Sequence, residues 1–262
     1  MKKKLLIIAS SLLISFSAIA GTDGNNELSK GKNGTVKDCF GQSINRGIFA
    51  FNKVLDDFIF EPVAKGYRIL PSPVRYGASN FVGNISNLLT IPNNILQGDI
   101  SRAGNNSARL AINSTVGILG LFDPAARFGF EKFDKEDYGQ TLGKWGVGTG
   151  CYVVLPVIGP STARDAVSSI STSLIGGDAW YNLTIKNDTQ HFSDFDYWAT
   201  RGTGAVDFRA KNIDAFNNLE KNSIDFYASV KSLYLQDRAK KILNSEKTTP
   251  ALNDNDWEEI EG

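Results

Sequence analysis

A mainly helical fold is what the sequence predicts, and three observations predict it. Between Ile44 and Phe60, apolar residues at 44, 48, 51, 55 and 58 recur at helix spacing, and Phe49, Val54, Ile59 and Phe60 widen them into a broad arc. From Asp207 to Leu243 the same period runs through Ile213, Phe216, Leu219, Ile224, Tyr227, Val230, Tyr234 and Leu235, the longest helical pattern in the chain. Strand signals are few, and Tyr152-Val153-Val154-Leu155 is the best of them.

The elements follow in order. In the first helix Asn45, Arg46, Asn52, Lys53, Asp56 and Asp57 fall largely opposite the apolar arc, and Glu61-Pro62 and Pro71-Ser72-Pro73 break the pattern. A second helix is expected from Val74 to about Leu89. A third is expected around Arg102–Leu119, with Ala108, Leu110, Ala111, Ile112 and Val116 on its apolar face. Gly139, Gly143, Gly146, Gly148 and Gly150, with Trp145 and Tyr152 among them, read as tight turns and close packing. No repeat appears at a period of 20–50 residues.

The ends differ in character from the middle. Lys2, Lys3 and Lys4, an apolar run from Leu5 to Ile14 and then Ala18-Ile19-Ala20 make residues 1–20 a secretory signal peptide cut after Ala20. As a retained anchor the run is short, since a span needs about 20 apolar residues. Residues 21–37 read as a flexible leader, 38–243 as the folded domain and 244–262 as an acidic disordered tail. Removing the three lysines from 28 basic residues leaves 25 against 28 acidic ones, so no basic field points to nucleic acid. No later stretch is long and apolar enough to span a bilayer as a helix.

Catalytic and metal chemistry find little support. A single histidine leaves no room for a histidine-rich metal site, and no metal or cofactor is expected. The glycine-rich segment GQTLGKWGVGTG matches neither the P-loop nor the dinucleotide template. The one enzymatic pattern is His191 followed by Asp196, the H-x4-D pair with which glycerolipid acyltransferases activate a hydroxyl. Two residues in a polar, loop-like stretch also describe an ordinary surface histidine. No catalytic residue is assigned. Cys39 and Cys151 have no base near them in sequence. In an oxidising compartment they either pair or remain two separate buried thiols.

Apolar helix faces admit two environments, a protein core or a membrane interface. The phenylalanines at 49, 51, 58 and 60, on a helix near the mature start of an exported chain, favour the interface as much as the core. Ile48, Phe49, Phe51, Leu55 and Phe58 are the expected membrane-facing set.

INRGIFAFNKVLDDFIFEPVAKGYRILPSPVRYGASNFVGNISNLLTIPNNILQGD resembles the opening block of the MlaA (VacJ) family, with its F-x-F-N-x-x-L-D helix, proline-rich turn and asparagine-rich run. FGFEKFDKEDYGQTLGKWGVGTGCYVVLPVIGPSTARD is similar to that family's most recognisable segment. SIDFYASVKSLYLQDRAKKIL resembles its last helix. The resemblance runs from about Asp38 to Leu243.

It implies a ring-like bundle of amphipathic helices lying in the inner leaflet of a Gram-negative outer membrane, with little or no β structure. It further implies an amphipathic channel beside a trimeric porin, passing phospholipid to a soluble periplasmic carrier and so preserving lipid asymmetry. Gly139, Gly143, Trp145, Gly146, Gly148 and Gly150 would then shape turns near the channel. Ala20-Gly21 departs from the family, whose members carry a cysteine for acylation at the cleavage site, so a protein without a lipid anchor is expected. The Cys39 and Cys151 positions within the family blocks suggest a disulfide that the family does not require. Two other classes compete: a structural or virulence-related envelope protein, and an acyltransferase that depends on His191.

Overall fold

The computed structural model describes residues 36–175, 177–186 and 192–243. The expected signal peptide, most of the leader, the acidic tail and His191 lie outside them.

Helix α1 (Gln42–Leu55) does not break at Glu61-Pro62 as the sequence pattern suggests. It widens into a π-helical turn, Asp56–Phe60, and continues as α2 (Glu61–Arg68). Pro62 lacks an N–H and its ring crowds the carbonyl four residues back. The widened turn accommodates it, and the Glu61 N–H donates five residues back to the Asp56 carbonyl. Ionic contacts fix the turn against a later helix: Arg209 Nε and Nη2 donate to Asp56 at 2.8 and 2.7 Å, and Nη2 also reaches Glu61 at 3.1 Å.

Helix α3 (Ser72–Leu96) is longer than its apolar pattern, extending beyond Leu89 and through Pro92. Its polar contacts hold the extra turns. Asn94 accepts from Asn106 at 2.9 Å, and Asn93 accepts from Thr141 Oγ1 at 2.6 Å. Helix α4 (Ile100–Thr115), capped by Asp99, packs along α3. It stops before Leu119 because Ile118, Leu119 and Gly120 take positive φ and turn the chain. The short helices α5 (Pro124–Arg127) and α6 (Tyr138–Lys144) start on the caps Asp123 and Asp137.

Strands β1 (Tyr152–Leu155) and β2 (Gly159–Thr162) form one antiparallel hairpin, with Tyr152 opposite Thr162 and Leu155 opposite Gly159. Helix α7 (Ala163–Ile175) follows, then the turn α8 (Ala179–Tyr181) with a second π-helical segment, Asn182–Lys186. The helix expected over 207–243 is three pieces: α9 (Asp194–Lys211), α10 (Ile213–Asn222) and α11 (Phe226–Ile242). Asn212 separates the first two, and Asp225 caps the third by accepting from the Ala228 N–H at 3.1 Å. Ile224, expected on the buried side, lies in that break and is fully exposed.

The protein is therefore mainly α with one small sheet, and its contacts close on themselves. α1 lies on β1, β2 on α11, α11 on α6, α6 on α3, α3 on α9, and α9 on α2. Two small apolar clusters sit on this circuit. Tyr152, Val154 and Tyr227 pack with Ile48, Phe49, Tyr234 and Leu235, and Ala64, Ala210 and Ile213 pack with Tyr67. A disulfide joins Cys39 to Cys151, 112 residues apart.

Candidate functional site

The surface is inverted relative to that of a protein built for water. Among the described residues, buried positions hold 22 polar or charged side chains and only 11 apolar ones, while 33 large apolar side chains are exposed. The exposed ones come from almost every element: Phe51 and Val54 of α1, Val63 of α2, Ile170 of α7, Trp198 and Phe208 of α9, Leu233 of α11. Apolar area in water costs about 25 cal/mol per Å². A distribution this wide matches a lipid surface better than one docking patch. No helix among the described residues is long and apolar enough to cross a membrane.

The expected membrane-facing set divides. Phe51 and Phe58 are exposed, Phe58 to 79%. Leu55 is half-buried, and Ile48 and Phe49 turn inward onto Tyr152 and Tyr227. One helix thus feeds both the core and the surface. The breadth of its apolar arc, which periodicity alone reads as a single face, has this cause.

The loop Val116–Phe122 between α4 and α5 exposes Val116, Ile118, Leu119, Leu121 and Phe122 while burying Gly117 and Gly120. A Cβ on Gly120 would meet Asn84 at 2.5 Å, and one on Gly117 would meet the Asn113 and Phe122 carbonyls at 2.5 Å. Between these anchors Ile118 (φ 51°) and Leu119 (φ 57°) adopt the left-handed conformation that bulky residues rarely take.

Beneath that loop the interior is polar and charged. Asn84 donates to Ser114 at 2.9 Å, and Asn113 donates to Asp123 at 2.9 Å. Burial opposes ionisation of Asp123, but the hydrogen bonds from Asn113 and Arg109 outweigh it and hold the group below the usual carboxylate range. Lys135 Nζ donates to the Gly83 carbonyl at 2.8 Å and to Asn87 Oδ1 at 2.6 Å. Burial, reinforced by Lys132 and Arg109, pushes its ammonium down to about 8.

A cavity of about 270 Å³, partly open to the outside, lies between α3, α8 and α9. Val82, Ile85, Ser86 and Leu89 line it from one face of α3, at the i, i+3, i+4, i+7 spacing of a helix stripe. Asp178 and Trp180 line it from the α8 turn, and Thr200, Arg201, Gly204 and Ala205 from α9. Gly204 lets the two long helices approach, since a Cβ there would stand 3.1 Å from Val82.

The polar groups of the cavity are few and placed. Arg201 Nη2 donates to Asp178 Oδ2 at 2.6 Å, and the guanidinium lies over the Tyr197 ring, 5.2 Å from its centroid. Asp178 Oδ1 accepts from the Trp180 and Tyr181 N–H groups at 3.0 and 3.2 Å. Tyr197 in turn packs edge-on against Tyr181 and Trp198. The hydroxyls of Ser86 and Thr200 donate to carbonyls one turn back, Val82 and Asp196. No nucleophile is paired with a base among these residues. The arrangement suits holding an amphipathic molecule, with apolar walls along α3 and an ionic rim at α9.

The glycine-rich segment lies elsewhere. Gly139 and Gly143 are inside α6, not in turns, and Gly146 (φ 88°) and Gly150 (φ 69°) do make turns. Trp145 is largely exposed and donates to the Leu96 carbonyl at 3.0 Å. Neither these residues nor Gly148 lines the cavity between α3 and α9. Gly139 instead makes room for an ionic clasp. Arg238 donates to Asp137 at 2.6 and 2.9 Å and to Asp165 at 3.0 Å, while Tyr234 donates to Asp165 at 2.8 Å. Burial raises the Asp137 carboxyl, but the Arg238 hydrogen bonds and charge prevail and take it down to about 2.

Asp196, expected in a loop, stands with Asp194 in the first turn of α9. Asp196 Oδ2 accepts from the Ser193 N–H at 2.7 Å and completes a capping box. The cavity residues were not singled out from sequence, because they come from three separated segments. The local signal was the run Thr200-Arg201-Gly202-Thr203-Gly204-Ala205, a lone cation among small residues.

A family model described as MlaA lipoprotein matches residues 36–241. An uncharacterized protein of Rickettsia prowazekii (strain Madrid E) is 34% identical over 192 residues, covering 73% of this chain and 72% of its own. The intermembrane phospholipid transport system lipoprotein MlaA of Shigella flexneri is 32% identical over 218 residues, covering 82% of each chain. The protein of that name from Escherichia coli (strain K12) is 31% identical over the same length. A solved structure described as "Structural basis for maintenance of bacterial outer membrane lipid asymmetry" superposes with a TM-score of 0.66 at 30% identity, covering 79% of this chain and 99% of that one. The word lipoprotein in these names runs against the expectation of a chain without a lipid anchor, and the Ala20-Gly21 junction lies outside the described residues.

Proposed function

Since the chain belongs to the MlaA lipoprotein family, we propose that it is the outer-membrane component of a bacterial phospholipid transport system. It sits at the periplasmic face of the outer membrane, its apolar rim among the acyl chains of the inner leaflet. Phospholipids misplaced in the outer leaflet pass through it to a soluble periplasmic carrier, beside a trimeric porin, and lipid asymmetry is maintained. The observation that carries this reading is the inverted surface enclosing an amphipathic cavity. A charged headgroup crossing hydrocarbon costs at least a few kcal/mol, and a polar-rimmed route lowers that barrier without covalent chemistry.

The test is surface-exposed phospholipid. External phospholipase is added to cells lacking the protein and to cells complemented with the wild type or with His191→Ala. Loss is expected to raise exposure and both versions to restore it. No change on loss would remove the transport reading, and failure of His191→Ala alone would point to acyl transfer.

A further inference from the structure

We propose that the tip of the β1–β2 hairpin, Val157 with Ile158, is a rigid wedge that enters the acyl region of the leaflet and fixes how deeply the protein sits. The inference rests on the reading of the apolar rim as membrane-embedded and names a bilayer contact separate from the lipid cargo. Neither residue lines the cavity between α3 and α9.

The tip is strained and clamped. Leu155 pairs with Gly159, so the turn is Pro156-Val157-Ile158. Val157 stands at φ 68°, a conformation that suits glycine or asparagine and that a β-branched residue rarely takes. Such strain persists only where surrounding contacts impose it. Asn52 of α1 imposes it here: Nδ2 donates to the Leu155 carbonyl at 2.9 Å, and Oδ1 accepts from the Val157 N–H at 2.7 Å. Val157 and Ile158 are left 58% and 77% exposed. Among the described residues other than glycine, only Ile118, Leu119 and Val157 have positive φ, and all three are exposed apolar residues. Backbone strain and outward apolar side chains coincide in this protein.

The occupant follows from the hydrogen bonds. Pro156 has no N–H, the Val157 N–H goes to Asn52, and the Ile158 N–H donates to the Pro156 carbonyl at 2.8 Å. No N–H of the turn is left for water. A protein pocket offers a turn hydrogen-bond partners, whereas hydrocarbon offers none and penalises every unpaired group. The tip is also continuous with the outward apolar side of α1. Asn52 holds it beside Phe51, and Phe58 lies two turns further along the same stripe, both exposed.

The experiment uses the full chain, its disulfide intact, bound to vesicles of phosphatidylethanolamine and phosphatidylglycerol. Both native cysteines are bonded, so Ile158→Cys adds the one free thiol for a nitrobenzoxadiazole label. Spin-labelled lipids quench it from the acyl chains, and iodide quenches it from water. Phe58→Cys, labelled likewise, reports whether the apolar rim is embedded at all. Quenching from the acyl chains is expected at both positions. Without label, Val157→Gly combined with Ile158→Ser should lower vesicle binding about tenfold, the factor that inserting one aliphatic side chain supplies. The detergent melting temperature of that variant should hold or rise, because the strain is gone. Undiminished binding of the double variant would overturn the wedge. Iodide quenching at the tip, with Phe58→Cys quenched from the acyl chains, would also overturn it and leave the embedded reading standing. Protection of the tip from both quenchers would replace the bilayer with a protein contact. Iodide quenching at both positions would bring down the embedded reading itself.

Discussion

Asp165 Oδ1 occupies the space beside Gly139, 2.5 Å from where a Cβ on residue 139 would stand. That oxygen belongs to the clasp in which Arg238 joins Asp137 and Asp165, tying α6, α7 and α11. The glycine therefore serves packing, and one methyl group has no place to go. Gly139→Ala is expected to cost about 1–3 kcal/mol, the range for overpacking a tight interior. Gly104, inside α4 with nothing within 4 Å of its would-be Cβ, is the counterpart. Gly104→Ala should gain up to about 1 kcal/mol from helix propensity. Thermal melts of both variants in detergent check the contrast, and equal shifts would contradict it.

Lys135 predicts an alkaline gain in stability. Its folded ammonium releases a proton near pH 8, whereas in the unfolded chain it holds one to about pH 10.4. Between those values the unfolded state binds more protons, so stability rises with pH. Tyr152, Tyr227 and Tyr234 are pushed upward, so their contribution is present below about pH 10 and lost only above it. From pH 8 to 10 the melting temperature of Lys135→Gln should therefore stop following that of the wild type. Parallel curves would contradict the argument.

Leu119 sets the fold against the surface. At φ 57° the backbone suits glycine, yet the side chain is 68% exposed at the tip of an apolar loop. Leu119→Gly is expected to leave the detergent melting temperature unchanged or raise it. The same change should weaken flotation with phospholipid vesicles, by up to about 1.5–3 kcal/mol if the leucine is fully inserted. Loss of stability without loss of membrane binding would show that the loop packs on the protein.

How much of this was legible in sequence depended on how local the cause was. The hairpin strand at Tyr152 and the start of α1 follow from neighbouring residues and were read directly. The extension of α3 past Pro92 was hidden, because contacts from Asn106 and Thr141 hold it, and a proline otherwise signals an end. Asn212 and Asp225 broke a period that apolar residues alone carried through. Periodicity in α1 identified an apolar arc but could not say that Ile48 meets Tyr152 while Phe58 meets the outside. The ionic rim of the cavity was least legible, since Asp178 and Arg201 meet only once α8 and α9 are placed.

The Cys39–Cys151 bridge has a consequence in time. For a chain threaded N-terminus first into an oxidising compartment, Cys39 emerges early and has no partner until 112 more residues have followed. The bond can close only when α1 through α6 have arrived, and before α7 to α11 need be present. It thus marks a stage of assembly: the first arc of the circuit is tied before the second is supplied. A chain whose synthesis stops short of residue 151 would carry a lone reactive thiol, open to pairing with the wrong partner.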